Sequence, residues 1–284
     1  MSITLIKEHR CHSGRMAYYS HGSDAVNGEM KFGVYFPPQA DRGEKLPVLT
    51  YLAGLTCNEE TFLIKGGAQQ YAAKHGLILV APDTSPRGAG IEGEDDDWDF
   101  GTGAGFYINA TRGAWAKNYC MESYVTQDLQ AVIKDSLNAD MDRQGIFGHS
   151  MGGHGALTLG FKYPEIYKSI SAFAPICSPT FCPWGAKAFS GYIGSDHSVW
   201  KQHDAVELIR AMDKSQYKPV LVDQGLADEF LNEQLKPHLL EKVAAETGFP
   251  LTLRFQEGYD HSYYFMNTFM EDHIAHHAEA LGCS

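Results

Sequence analysis

A serine enclosed by glycines is the first feature of this sequence that suggests chemistry. The segment GIFGHSMGGHG carries five glycines around Ser150. Its centre, Gly148 to Gly152, matches G-x-S-x-G, a pattern that exposes a serine on a tight turn between a strand and a helix. Glycine packs little and costs backbone entropy, so this turn is better explained by a nucleophile than by the needs of a core. A turn that only permits close packing is the alternative.

A serine hydroxyl needs a base, and the sequence offers one in the expected order. In this arrangement an acid and then a histidine follow the serine, each on a loop after a strand. The predicted strand PVLVDQG contains Asp223, and Asp228 lies in the loop beyond it. The next predicted strand, PLTLRF, leads to His261 in QEGYDHSYYF. We therefore predict Ser150 as nucleophile and His261 as base. Spacing favours Asp228 as the orienting acid and leaves Asp223 open.

Attack on a carbonyl leaves an oxyanion that needs two hydrogen-bond donors. The backbone N–H of Met151, directly after the serine, is predicted as the first. The second is expected from the loop AGLTCNEE after the strand VLTYL, where we predict the N–H of Leu55, with Gly54 allowing the turn. This loop could instead be a simple strand exit.

The remaining histidines are weaker candidates. The chain has 13 histidines, and we expect most of them to be solvated, including His273, His276 and His277 near the C-terminus. His273 and His277 are spaced as in a metal site, but the H-E-x-x-H motif requires glutamate where Ile274 stands. The six cysteines are scattered and are expected to be free thiols, so no metal is predicted from them.

The elements that must position these residues alternate between strands and helices. Helices are expected at 60–75, from 125 onward, after Ser150, at 236–247 and at the C-terminus, and they separate apolar strands such as LILVAP and YKSISAFA. This alternation predicts an α/β protein with a mostly parallel sheet covered on both faces. The long stretches 84–120 and 174–213 are expected to be irregular.

No repeat or break in composition divides the chain, so residues 1–284 are predicted to form a single domain. The net charge of −12 disfavours binding to nucleic acid and to anionic membrane surfaces. The first residues contain no apolar run of signal-peptide length, and no window is long enough for a membrane span. We therefore expect a cytoplasmic protein.

Several segments together resemble the S-formylglutathione hydrolase family, also called esterase D, over nearly the whole chain. They are YLAGLTCNEETF, APDTSPRG, GTGAGFYINAT, FGHSMGGHGAL, CPWGAKAFSGYIG, DQGLADEFL and GYDHSYYF. The resemblance implies an α/β-hydrolase fold and hydrolysis of the formyl thioester of glutathione, a step of formaldehyde detoxification, with side activity on small acyl esters. It also implies no metal or organic cofactor and a homodimer or larger homo-oligomer. Matched residue by residue, it assigns Ser150, Asp228 and His261 as a catalytic triad and Leu55 and Met151 as oxyanion donors.

Three features stay open at this level. Cys57 resembles a family cysteine near the active site that confers sensitivity to thiol reagents, or it is a small buried hydrophobe. Trp184 could border the acyl pocket or pack the core. The acidic run 92–99 resembles a calcium loop only in part, because Phe100 and Phe106 stand where an EF-hand needs glycine and glutamate. A solvated loop is expected there, and contact with the substrate ammonium is the alternative.

Two other functions remain possible on the same sequence. A broad carboxylesterase or an acyltransferase would use the same residues, since a triad serves all of these reactions. A non-catalytic scaffold of this fold is the other, although such proteins usually lose a triad residue.

Overall fold

A nine-stranded sheet organises the computed structural model, which describes residues 2–283. The strands are β1 Thr4–Cys11, β2 Gly14–Ser23, β3 Gly28–Phe36, β4 Leu46–Leu52, β5 Ile78–Pro82, β6 Ala139–His149, β7 Tyr167–Phe173, β8 Val220–Gly225 and β9 Leu251–Gln256. Their order in the sheet is β1-β2-β3-β5-β4-β6-β7-β8-β9. The first three strands are antiparallel, β3 pairs antiparallel with β5, and the strands from β5 to β9 are parallel. The carboxyl ends of β4 to β9 therefore meet at one edge.

The helices follow the strands in the predicted alternation. They are α1 Thr61–Lys65, α2 Gln69–His75, α3 Met121–Ser123, α4 Leu129–Ser136, α5 Met151–Lys162, α6 Pro183–Ile193, α7 His197–Trp200, α8 Ala205–Ala211, α9 Pro237–Thr247 and α10 Tyr263–Ala280. Between residues 2 and 283, none of the helices is both long and apolar enough to cross a membrane.

Side chains of β7 show that helices cover both faces of the sheet. Gly160 of α5 packs so closely on Ile170 that a Cβ at this glycine would lie 2.6 Å from the Ile170 side chain. The neighbouring Ser169 and Ser171 point to the other face and contact His277 of α10. Successive residues of a strand alternate between faces, so α5 and α10 lie on opposite sides. The predicted α/β fold with a covered, mostly parallel sheet is confirmed.

At the N-terminal side of the molecule one local prediction is wrong and one strand is missing from the prediction. The helix expected at 60–75 is two helices, α1 and α2, separated near Gly67, whose φ of +67° does not belong in a helix. Strand β1 was not predicted at all. Its residues are exposed or half-buried throughout, so it lacks the alternation of apolar and polar side chains that marks a strand.

The stretch 174–213 is predicted to be irregular, but this prediction is wrong. The structure has three helices there, α6, α7 and α8. The sequence does carry local signals at the starts of these helices, a proline at the first position and aspartate caps. Pro183 stands at the first position of α6, and the side chains of Asp196 and Asp204 accept hydrogen bonds from the first amides of α7 and α8. The stretch 84–120 does lack α-helices and strands within the described part of the chain, as predicted.

Candidate active site

Ser150 occupies a strained turn between β6 and α5. Its φ of +58° and ψ of −118° define a conformation that non-glycine residues rarely adopt. The Ser150 N–H donates to the Phe173 carbonyl at 3.0 Å, and the Ser150 carbonyl accepts from His154 at 3.0 Å and from Ile176 at 3.2 Å. Backbone hydrogen bonds on both sides therefore hold the serine in this conformation.

Two glycines of the motif make this turn sterically possible. A side chain at Gly152 would place its Cβ 1.9 Å from the Leu52 carbonyl oxygen, and one at Gly148 would place it 2.2 Å from the Gly152 oxygen. Helix α5 thus approaches the ends of β4 and β6 more closely than any side chain allows. Close packing of α5 and the placement of Ser150 on the turn are two consequences of the same geometry.

His261 is paired with a carboxylate. Its Nδ1 lies 2.6 Å from Oδ2 of Asp228. The other carboxylate oxygen accepts the Phe230 N–H at 2.8 Å, and Gln224 donates to Oδ2 at 3.2 Å. The Asp228 side chain is fully buried, so these donors hold it in one orientation. Gln224 was not singled out in the sequence, because an amide inside a strand carries no recognisable signal.

The loops after β8 and β9 are brought together by backbone contacts. The Ala227 N–H donates to the Tyr259 carbonyl at 2.9 Å. Gly225 lies against the same carbonyl, where a Cβ would come within 2.3 Å of the oxygen. A glycine at this point therefore allows Asp228 and His261 to meet.

Ser150 and His261 line one cavity of about 160 Å³ at the carboxyl edge of the sheet. Trp98, Trp184 and Phe230 supply aromatic walls. The Phe230 ring stands edge-on to the His261 imidazole, with ring centres 5.1 Å apart. The cavity is small and largely apolar around two polar groups, as is typical of a site for a small acyl group.

Of the two residues whose amides are predicted as oxyanion donors, Leu55 lines this cavity and Met151 directly follows Ser150 in the chain. Met151 is the first residue of α5, so its N–H has no acceptor within the helix. Leu55 lines the cavity, and its N–H has no protein acceptor within residues 2–283. The preceding Gly54 lies against Ser150, since a Cβ there would be 3.2 Å from the serine Cβ. A free amide is what an oxyanion donor requires, and the roles of Leu55 and Met151 stay predictions.

His149, the residue before the serine, is a part of the site that sequence reasoning missed. Its ring centre lies 4.4 Å from that of His261, and its Nε2 has no partner among the described residues. Burial and the nearby His261 lower the pKa of His149 well below its usual value, which keeps the ring neutral. Its place as the variable residue of G-x-S-x-G is the one signal that could have drawn attention to it.

Cys57 and Trp184 both line the cavity. The Cys57 sulfur lies 4.0 Å from the Tyr263 hydroxyl, and burial raises the pKa of its thiol. Trp184 is buried on α6, where its ring packs edge-on against Trp98 and tilted against Phe230. Both side chains therefore lie at the pocket and also pack against the core, and sensitivity of Cys57 to thiol reagents stays a prediction.

Asp223 belongs to a different group of side chains. It accepts two hydrogen bonds from Arg254, at 2.9 and 2.5 Å, one from Gln256 at 2.8 Å, and it pairs with His273 Nε2 at 2.9 Å. Burial alone would raise the pKa of Asp223, but the hydrogen bonds from His273 and Arg254 lower it to about 2.

The expectation that the C-terminal histidines are solvated is wrong for two of them. His273 and His277 are fully buried, because α10 packs them against the small serines of β7. His277 contacts Ser169 at 2.6 Å and Ser171 at 2.8 Å, and His273 Nδ1 contacts Ser171 at 2.8 Å. His276 is half-buried. All four nitrogens of the two buried rings have protein partners, which leaves none to bind a metal.

The acidic run 92–99 is mostly exposed, as expected of a solvated loop, but three of its carboxylates are engaged. Glu94 is buried and accepts hydrogen bonds from the backbone amides of Ala89 and Gly90. Lys187 lies 3.0 Å from Asp97 and 2.5 Å from Asp99. Within residues 2–283 no group of three or more His, Cys, Asp or Glu side chains is arranged to hold a metal ion.

The sheet order and the strand–serine–helix turn define an α/β-hydrolase. Comparisons with known proteins agree. A family model described as "Putative esterase" matches residues 23–276. S-formylglutathione hydrolase of Mus musculus is 53% identical, with 99% of both chains covered, and that of Paracoccus denitrificans is 48% identical over the same shares.

Solved structures extend the comparison. The structure of an S-formylglutathione hydrolase from Agrobacterium tumefaciens matches with a TM-score of 0.94 and 46% identity, covering 98% of this chain and 99% of that one. A fluorophosphonate-binding serine hydrolase of Staphylococcus aureus, at 17% identity and a TM-score of 0.74, covering 93% of this chain and 98% of its own, shares the fold. The chain belongs to the S-formylglutathione hydrolase family of esterases.

Proposed function

We propose that this chain hydrolyses S-formylglutathione to glutathione and formate, a step of formaldehyde detoxification, with Ser150, His261 and Asp228 as its catalytic triad. The observation that carries the proposal is the buried Asp228–His261 pair on the same cavity as the strained Ser150. Relatives at about half identity that bear the name S-formylglutathione hydrolase support the substrate.

The first half of the reaction forms a formyl-enzyme. Asp228 accepts a hydrogen bond from the Nδ1–H of His261, which leaves Nε2 free to take the proton of the Ser150 hydroxyl. The serine oxygen attacks the formyl carbon, and the carbonyl oxygen becomes an oxyanion held by the N–H groups of Leu55 and Met151. Collapse of this intermediate breaks the carbon–sulfur bond and expels the glutathione thiolate. The charged imidazole formed meanwhile is stabilised by the Asp228 carboxylate.

The second half releases formate. His261, having given its proton to the departing thiolate, accepts one from a water molecule that attacks the formyl ester. The same two amides hold the second oxyanion, and Ser150 regains its proton from His261. The N-terminus of α5 favours negative charge at this point, because its first amides and the helix dipole face the serine. Since a thiolate leaves readily, the proposal requires no metal or organic cofactor.

The size of the cavity supports a small acyl group. Trp98 and Trp184 pack edge-on at 5.7 Å and border the space next to Ser150. A formyl group fits a cavity of about 160 Å³, and short acyl esters would enter it as side substrates.

Comparison of two substrates tests this proposal against its alternatives. We expect kcat/KM for S-formylglutathione to exceed that for p-nitrophenyl acetate by about 100-fold or more, because glutathione adds binding energy beyond the acyl pocket. A higher value for p-nitrophenyl acetate would favour a broad carboxylesterase, and formyl transfer to an added alcohol faster than to water would favour an acyltransferase.

Covalent labelling tests the role of the serine in the same protein. A fluorophosphonate should label the wild type and fail to label Ser150→Ala, which should also lose hydrolysis of both substrates. Labelling of the alanine variant would place the nucleophile elsewhere, and no labelling of either protein would favour a non-catalytic scaffold.

We also propose that residues 1–284 form one domain, which the single continuous sheet supports, although Met1 and Ser284 lie outside the described residues.

A cytoplasmic location is supported by six cysteines that are all free thiols. A homodimer or larger homo-oligomer rests on the family resemblance, and analytical ultracentrifugation would test it.

A further inference from the structure

A second cavity, of about 390 Å³, lies at the carboxyl edge of the sheet and takes no part in the chemistry above. Charged side chains of both signs line it: Glu29, Lys31, Glu59, Asp83 and Arg87. It is more than twice the volume of the active-site cavity and differs from it in polarity, since aromatic rings are absent from its lining.

The second cavity lies next to the active-site cavity. Asp83 follows β5 and Ser150 follows β6, and β4 lies between these strands. Neighbouring strands are about 4.8 Å apart, so the two strand ends are separated by about 10 Å.

One segment of chain separates the two cavities. Cys57 lines the active-site cavity, whereas the next residues, Asn58 and Glu59, line the second cavity. The Cys57 carbonyl accepts hydrogen bonds from Thr84 Oγ1 at 2.6 Å and from Arg87 Nη2 at 2.9 Å. A segment of backbone held by these hydrogen bonds therefore passes between the two cavities, and an elongated substrate that occupies both would cross it.

The charges of the second cavity are only partly balanced. Arg87 is neutralised by Asp83, with hydrogen bonds at 3.0 and 2.7 Å. Glu59 is 6% exposed, and no ion pair or hydrogen bond joins its side chain to another residue between positions 2 and 283. Burial, followed by the nearby Asp83, raises the pKa of Glu59. Lys31, which is exposed, likewise has no ion pair within the described residues.

The Lys31 charge acts on Glu59 without forming a direct ion pair, and a buried carboxylate in this position gains most from a ligand that brings a positive charge into contact with it. The adjacent Lys31 ammonium suits a negative charge on the same ligand. The γ-glutamyl end of glutathione carries an ammonium and a carboxylate on one carbon, which in an extended chain lies about 9 Å from the sulfur. This length is close to the spacing of about 10 Å between the ends of β5 and β6, which border the two cavities.

We propose that the second cavity binds the zwitterionic γ-glutamyl end of glutathione, with Glu59 facing its ammonium and Lys31 its carboxylate. The proposal rests on the proposed function for the identity of the substrate. It gives the enzyme a means of distinguishing a glutathione thioester from a simple ester that has the same acyl group.

Inhibition by unreactive analogues tests the second cavity independently of thioester hydrolysis. Hydrolysis of p-nitrophenyl acetate is measured with S-methylglutathione and with N-acetyl-S-methylcysteinylglycine, in which acetyl replaces the γ-glutamyl group. We expect the inhibition constant of S-methylglutathione to be about tenfold lower in the wild type, as one charge-assisted contact would give. In Glu59→Gln this preference should fall to about twofold or less.

A neighbouring residue supplies a matched control. Glu60 undergoes the same change in Glu60→Gln, but it pairs with Lys7 at 2.7 Å and lines neither cavity. This variant should keep the tenfold preference. Lys31→Met tests the other charge at an exposed position, where folding is not at risk, and it should also reduce the preference.

The outcomes separate this proposal from the proposed function. Equal inhibition of the wild type by both analogues would overturn it, even if S-formylglutathione is hydrolysed rapidly. So would an undiminished preference in both Glu59→Gln and Lys31→Met. A wild type that prefers S-methylglutathione but does not hydrolyse S-formylglutathione would refute the proposed function and leave the second cavity as a γ-glutamyl site.

Discussion

Two histidine–aspartate pairs lie close to the end of β8 and differ in almost everything but their residue types. His261 contacts Asp228 at 2.6 Å, and His273 contacts Asp223 at 2.9 Å. The His261 side chain is 17% exposed and borders a cavity, whereas His273 is fully enclosed between α10 and the sheet. A short contact with a carboxylate therefore does not by itself identify a base; access to a nucleophile and to substrate does.

The partners of the two carboxylates explain the difference further. Asp228 receives hydrogen bonds from neutral donors, so its negative charge is available to a protonated His261. Asp223 already pairs with the Arg254 guanidinium, which balances its charge. The first pair is suited to stabilising a transient imidazolium, and the second is suited to joining α10 and β9 to β8.

The largest effect is expected from Asp228→Asn. An amide would donate to Nδ1 and hold the imidazole in the wrong tautomer, so kcat should fall by about four orders of magnitude. The urea midpoint should change little, because the amide oxygen still accepts the Phe230 N–H, and only the 3.2 Å contact from Gln224, which reaches the oxygen that the amide nitrogen replaces, is lost. Steady-state kinetics and urea unfolding measure the two quantities, and a loss of less than tenfold in kcat would remove Asp228 from the triad.

Asp223→Asn should show the opposite pattern. The change leaves the buried His273 and the half-buried Arg254 without their carboxylate, which should lower the free energy of unfolding by about 3 kcal/mol. The kcat of the folded fraction should stay within about threefold of the wild type, because the Asp228–His261 pair is intact. If kcat instead falls as far as in Asp228→Asn, the two pairs act together and the comparison fails.

The buried histidines predict a loss of stability in mild acid. Burial lowers the pKa values of His273 and His277 below their usual value in the folded protein, so the unfolded chain binds more protons once the pH falls below about 6.5. Their contribution is therefore present above this pH and lost below it, by at most about 1.4 kcal/mol per histidine and pH unit.

Urea unfolding at pH 7.5 and 5.5 measures this loss. The variant His277→Asn should be less stable than the wild type at pH 7.5, because the bonds to Ser169 and Ser171 are weakened, but it should lose less stability on acidification. An equal loss in both proteins would contradict a proton-linked role for His277.

Trp184→Ala should enlarge the active-site cavity beside the Asp228–His261 pair. Removing the indole enlarges the acyl side of the cavity, so kcat/KM for p-nitrophenyl butyrate relative to the acetate should rise by about tenfold. Thermal unfolding of the variant serves as the control for lost packing. An unchanged preference among acyl chain lengths would show that Trp184 only packs the core.

The smallest effect is expected from Cys57→Ser. The thiol lies in the cavity wall, and burial raises its pKa, so the thiolate needed for nucleophilic attack is disfavoured. The variant should keep activity within about threefold of the wild type. A loss as severe as that of Ser150→Ala would mean that the thiol takes part in the chemistry.

Much of the fold followed from local patterns. Apolar strands alternating with helices predicted the parallel sheet, and the glycines around Ser150 predicted a tight turn, because sterics and periodicity act between residues close in sequence. The prediction missed strand β1 and the helices of 174–213, because such local patterns are weak or incomplete in them. Strand β1 has no apolar face, and α7 and α8, with four and seven residues, are too short to show a clear helical period, whereas α6 is marked only by Pro183 at its start.

The amino-acid sequence by itself determined the alternation of elements and the conformation at Ser150. Only the tertiary structure decided which aspartate contacts His261, that His273 is buried, and that charged side chains gather in a second cavity beside the first. These contacts join residues far apart in the chain. They depend on how closely two loops approach, as at Gly225, and on which face of α10 packs on the sheet, and neither is a property of local sequence.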